Sequence, residues 1–135
     1  MIYKISHEVP ANTSKDNPDW QKLKICKGTI VQWIIFMPEE AADLLRFTVE
    51  YHGVQILPYN RPESIYGLFT PTMIPESLRI DDKPYELDIR AWNGDDTYSH
   101  EYNLHVNIEP PKPTVPGTAP TGMIERFKKL FGGGI

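Results

Sequence analysis

Ile89-Arg-Ala-Trp-Asn-Gly-Asp-Asp-Thr-Tyr-Ser-His100 is the stretch on which the fold turns. Before its centre, Tyr85, Leu87, Ile89 and Ala91 point one way while Glu86, Asp88 and Arg90 point the other. After it, Tyr102, Leu104, Val106 and Ile108 point inward while Asn103, His105 and Asn107 point outward. A period of two is the mark of a half-buried β-strand. Asn93-Gly-Asp-Asp96 stands between the two runs. Asn-Gly accepts the positive φ values of a tight turn, so the stretch predicts a β-hairpin.

Working outward, the same alternation recurs. Ile2-Tyr-Lys-Ile-Ser-His7 forms a first short strand, followed by the polar loop Val9–Pro18, rich in turn residues. Leu23 and Ile25 lead into a second strand, broken at Lys27-Gly28. Ile30-Val-Gln-Trp-Ile-Ile-Phe-Met37 is apolar at both parities. That fits a strand covered on both sides, or one at a subunit interface. Glu39 to Leu45 forms a helical turn or an edge loop, and Leu45 to Tyr51 alternates again. Gly53 marks a bulge or turn before Val54–Leu57. Ile65, Gly67 and Phe69 suggest a brief strand, Pro71 and Pro75 bracket a loop, and Leu78-Arg-Ile80 is short.

Many short alternating segments with Pro and Gly turns predict an all-β chain, an antiparallel β-sandwich or jelly roll over residues 1–109. The 13 prolines argue against a helical bundle, and 135 residues suffice for one real core. Residues 110–120 hold five prolines and read as a stiff linker. Residues 121–135 read as a short C-terminal amphipathic helix with a Gly tail. Met123, Ile124, Phe127, Leu130 and Phe131 fall on one helical face, the expected partner-docking face.

The net charge of −4 argues against an unassisted nucleic-acid binder, which needs concentrated Lys and Arg. The body is near −7 and the tail, with Lys112, Arg126, Lys128 and Lys129 against Glu125, near +3. That asymmetry suits docking on a neighbouring protein, with an anionic membrane surface as the lesser alternative. Cys26 is the lone cysteine, which excludes an intramolecular disulfide and Cys-rich zinc sites. The first residues are too short and polar for a signal peptide, so synthesis in the cytoplasm is expected.

Candidate chemistry is thin. His52 and His105, with Glu50 or Glu101, would make a zinc site if they met on one sheet face. Asp81, Asp82, Asp95 and Asp96 would gather calcium if their two turns lay at one end of the sandwich. Glu39 and Glu40 are adjacent carboxylates with no defined partner. Solvated strand residues and ordinary turn chemistry explain all of these more cheaply, so no catalytic residue, metal or cofactor is expected. Tyr51, Tyr59, Tyr66, Trp33, Trp92 and Tyr98 offer rings for a sugar platform, which keeps a carbohydrate- or ligand-binding module as the alternative function.

The runs Lys27–Pro38, Tyr51–Asn60 and Ile89–His100 resemble small β-sandwich virion proteins of tailed phages, the capsid-decoration and tail or baseplate adaptor type. The resemblance covers roughly residues 20–108 and implies a non-enzymatic structural protein, incorporated into a virion, that contacts other capsid or tail proteins. A closed homo-oligomer is expected as well, through Ile30, Trp33, Ile35, Met37 and Trp92, because an apolar second face needs cover.

Overall fold

The alternating segments become eight strands in the computed structural model, which describes residues 1–112. In chain order they are β1 (Ile2–Val9), β2 (Asp19–Lys24), β3 (Gly28–Phe36), β4 (Leu45–Tyr51), β5 (Val54–Leu57), β6 (Thr72–Ile80), β7 (Glu86–Asn93) and β8 (His100–Glu109). A short 3₁₀ turn, Glu39–Ala41, links β3 to β4. The strands make two antiparallel four-stranded sheets, ordered β1-β8-β3-β6 and β2-β7-β4-β5. Of consecutive strands, only β4 and β5 share a sheet; every other connection crosses between sheets. The expected β-sandwich is present, and its strand order is that of an eight-strand jelly roll. The linker beyond Lys112 and the expected docking face, Met123, Ile124, Phe127, Leu130 and Phe131, lie outside the described residues.

The predicted Asn-Gly hairpin is corrected. β7 and β8 lie in different sheets, and neither Asn93 nor Gly94 has a positive φ. Packed sheets stand about 10 Å apart, too far for a two-residue turn. Gly94 to Ser99 therefore form an arch from one sheet to the other. The buried Asn93 amide holds it: Nδ2 donates to the Val9 carbonyl at 3.1 Å and to the Tyr98 carbonyl at 3.0 Å. Its Oδ1 accepts the Asp95 N–H at 3.0 Å. The tight hairpin is instead at His52-Gly53, where φ is 51° and 77°, the doubly positive pair that matches strand twist.

A bulge in β3 lets core residues fall at both parities. Pairing to both neighbours shifts register between Ile30 and Gln32. Ile30 faces the core before the bulge; Trp33, Ile35 and Met37 face it afterwards, all with no exposed surface. These four, expected at an oligomer interface, are thus consumed by the chain's own core. The outward residues of the strand after the bulge are Ile34 and Phe36. Trp92, expected at the same interface, is covered by its own chain: Lys15 Nζ lies 5.6 Å and the Arg90 guanidinium 5.0 Å from its ring.

The expected loop at Pro71–Pro75 is also corrected, because Thr72–Ile80 is one continuous strand. Pro75 fits there because β6 is a sheet edge, where a missing N–H breaks no inner ladder. Its pairing partner is Gln32, at the bulge. Phe47, Tyr102, Leu87, Ile89, Leu104 and Ile108 complete the core, with Phe47 and Tyr102 rings 5.1 Å apart.

Candidate functional site

Three surfaces hold the chemistry. The first is a hollow of about 550 Å³ beside the 93–100 arch, lined by Glu8, Glu40, Asp95, Ser99, His100 and Glu101 among others. His100 is nearly buried and its Nε2 meets Asp95 Oδ2 at 2.8 Å. Asp95 Oδ1 accepts the N–H groups of Thr97 and Tyr98. The Thr97 N–H first, then His100 and the Tyr98 N–H, hold the Asp95 carboxyl below its usual value. The residue types of a hydrolytic triad are present without its geometry. Ser99 Oγ donates to Glu8, not to His100, so nothing here activates the serine. The group ties the arch to β1.

The second surface is the outer face of β3 and β6. Ile34 pairs with Met73 on one side and with His105 on the other. Met73 is 65% exposed and Phe36 37%. Pro71, Asn103 and His105 join Ile34 and Phe36 around a shallow, largely apolar depression of about 240 Å³.

The third is a groove of about 460 Å³ over the outer face of the β2-β7-β4-β5 sheet, lined by Lys15, Trp20, Thr48, Glu50, Gln55, Arg61, Pro62 and Arg90. Register builds its floor: Trp20 lies opposite Arg90, and Arg90 opposite Thr48. The next row sets Asp88 opposite Glu50, and Glu50 opposite Gln55. Arg90 Nη2 donates to the Lys15 carbonyl at 2.6 Å, which pins the polar loop before β2 along one wall. Arg61, 3.4 Å from Glu50, stands on the other. Gln55 spends both amide hydrogens on the Pro58 and Glu63 carbonyls, leaving its oxygen as an acceptor. Thr48 is buried, and its hydroxyl has no hydrogen-bond partner.

The candidate residues read from the sequence disperse. His105 is on β8 and His52 in the β4–β5 turn of the other sheet, so they do not meet. Asp81 and Asp82 precede β7 and Asp95 and Asp96 follow it, so the strand's full length parts the two turns. Among the described residues no group of three His, Cys, Asp or Glu is placed to hold a metal. Glu39 and Glu40 start the 3₁₀ turn, and only Glu40 reaches the arch hollow. Of the expected sugar-platform rings, Trp33 is core, its Nε1 donating to Glu76 at 3.0 Å, and Trp92 is covered. Tyr59, Tyr66 and Tyr98 are exposed; Tyr66 stacks under Arg46 at 3.8 Å. The sequence reading missed Trp20, the half-exposed indole on the groove rim. Its signal was an aromatic at an outward parity of β2. No family model, curated protein or solved structure matches this chain.

Proposed function

We propose that the chain is a non-enzymatic assembly module acting through protein–protein contacts, a virion component of the tailed-phage type. The observation that carries this reading is the apolar outer face of β3 and β6, where Phe36 and Met73 flank Ile34 in the open. An ordinary strand face turned to water carries polar residues, as Asn103, His105 and Asn107 do on neighbouring β8. The jelly-roll strand order adds support by analogy of fold alone, since capsid and lectin domains use it. The hydrolytic residue types beside the arch bind one another rather than forming a relay, which favours a role without catalysis.

A second copy of the chain is the proposed occupant of the apolar face, in a closed oligomer. The face belongs to the sheet from which self-association was expected, with Ile34, Phe36 and Met73 replacing the core residues. Met123, Ile124, Phe127, Leu130 and Phe131 are the proposed second contact, reaching a neighbouring subunit or another virion protein across the Pro-rich segment. Sedimentation of the full chain at tens of micromolar tests the first contact. An oligomer that Phe36→Asp with Met73→Asp converts to folded monomer supports it. A wild-type monomer throughout, or an oligomer indifferent to both changes, removes it.

A further inference from the structure

We infer that the groove across β2, β7, β4 and β5 binds an acidic saccharide, a sugar unit bearing a carboxylate beside its hydroxyls. This is independent of the assembly reading, since it uses the opposite sheet.

Three observations converge. The first is charge. Residues 1–112 hold 11 Lys and Arg against 17 Asp and Glu, yet this groove is lined by Lys15, Arg61 and Arg90 against Glu50, with Asp88 in the next row already held by Lys22. A local cationic excess on an acidic body selects an anion. The second is the unspent polar capacity of the floor. The Thr48 hydroxyl is buried without a partner, and a buried polar group left so carries a free-energy cost that a ligand oxygen would relieve. The Gln55 oxygen and Glu50 are acceptors, which call for a ligand with hydroxyl donors. The third is Trp20, an indole with half its surface in water on the rim. An exposed ring offers a flat apolar face to the C–H side of a sugar.

The three requirements exclude simpler ligands. A bare phosphate or sulfate satisfies the cations, but it leaves the acceptors and the indole unused and brings its charge against Glu50. A neutral sugar uses the indole, hydroxyl and acceptors but has no need of three cations. A uronate unit uses all of them: carboxylate to the Arg61–Arg90–Lys15 side, hydroxyls to Thr48, Gln55 and Glu50, and ring face to Trp20. The volume of about 460 Å³ is within the range of small-molecule sites. Because the groove runs across four strands and is open, it suits an internal unit of a polymer.

The test titrates the full chain with a uronic acid trisaccharide, the neutral trisaccharide of the same linkage, and inorganic sulfate, by calorimetry and amide NMR shifts. The expected result is saturable uronate binding at least about tenfold tighter than the neutral sugar, a tenfold step being about 1.4 kcal/mol. Shifts should centre on Thr48, Gln55 and Trp20, and sulfate should not displace the sugar at equal concentration. Thr48→Val keeps the side chain's shape and should weaken binding about fivefold with folding intact. Trp20→Ala, at an exposed position, should weaken it about tenfold or more and serves should the valine variant misfold. No saturation in the millimolar range overturns the proposal. Equal affinity for the neutral sugar, displacement by sulfate, or wild-type binding by Trp20→Ala does so too.

Discussion

Replacing Asn93 by alanine should cost far more than replacing the glycine beside it. In the arch, the Asn93 side chain makes three hydrogen bonds from a position with no exposed surface. At about 1 kcal/mol each, their loss is about 3 kcal/mol. The Val9 and Tyr98 carbonyls and the Asp95 N–H each lose a partner, which holds the figure at that level or above. For a body of this size the change corresponds to a fall in Tm of roughly 12 °C. Gly94 has no positive φ, and a Cβ there would meet Leu44 Cδ2 at 3.6 Å, an ordinary contact. Gly94→Ala should therefore shift stability by under about 0.5 kcal/mol. A tight Asn-Gly hairpin demands the opposite ranking, because alanine in the left-handed region costs roughly 1–2 kcal/mol. Urea unfolding of both variants, with an unchanged m value, gives the comparison. Equal losses, or a larger loss for Gly94→Ala, would refute the arch and the strand order that requires it.

Three other outcomes can be checked on the same protein. Asp95 has a depressed carboxyl, so its contribution is full above the unfolded value of about 3.9 and is lost as pH falls through the lower folded value. The Tm gap between wild type and Asp95→Asn should thus narrow from pH 6 to pH 2, and a constant gap would contradict the arch network. Tyr102 is buried with its hydroxyl unpaired, so Tyr102→Phe should leave thermal stability unchanged or raise it by about 1 kcal/mol; a loss above about 2 kcal/mol would reveal a partner. Ending the chain after Lys112 should preserve one cooperative unfolding transition, because the core residues run from Val9 to Ile108; a chain without such a transition would show that the tail completes the domain.

What was legible in the sequence follows from the range of the interactions involved. Parity is local, and it placed the inner faces of β4, β7 and β8 correctly. Connections are not local. Asn93-Gly94 carries hairpin chemistry, but its asparagine turns inward to bond Val9, 84 residues away in the chain. Nothing in the dipeptide records that carbonyl. His52-Gly53, where the hairpin does form, lacks the favoured asparagine yet takes both positive φ values. The apolar run of β3 misled for a related reason. One bulge residue shifts the parity, so inward residues fall at both parities, and only the structure shows that Ile34 and Phe36 are the apolar residues left facing outward. Pro75 hid β6 because proline is barred from inner strands, and only the sheet order shows that this strand is an edge.

The groove was illegible for a deeper reason: its floor is a cross-strand object. Trp20, Thr48 and Arg90 come from three strands, and only the registers of β2 with β7 and of β4 with β7 put them in one row. Read along the chain, each is ordinary: an outward aromatic, a threonine in a strand, an arginine between apolar neighbours. The same registers explain why the cations gather on an acidic body without destabilising it. Glu50 faces Arg61 at 3.4 Å, and the Arg90 guanidinium is spread between the Lys15 carbonyl and the Trp92 ring. Lys15 and Arg90 have soft partners, an aromatic face or a carbonyl, while Arg61 shares the Glu50 carboxylate. None has the bidentate carboxylate that would cancel it. Lys15 and Arg90, held in place without a carboxylate partner among the described residues, differ from a surface salt-bridge network, and that difference makes the groove, rather than the more acidic hollow at the arch, the place on this body where an anionic ligand gains most by leaving water.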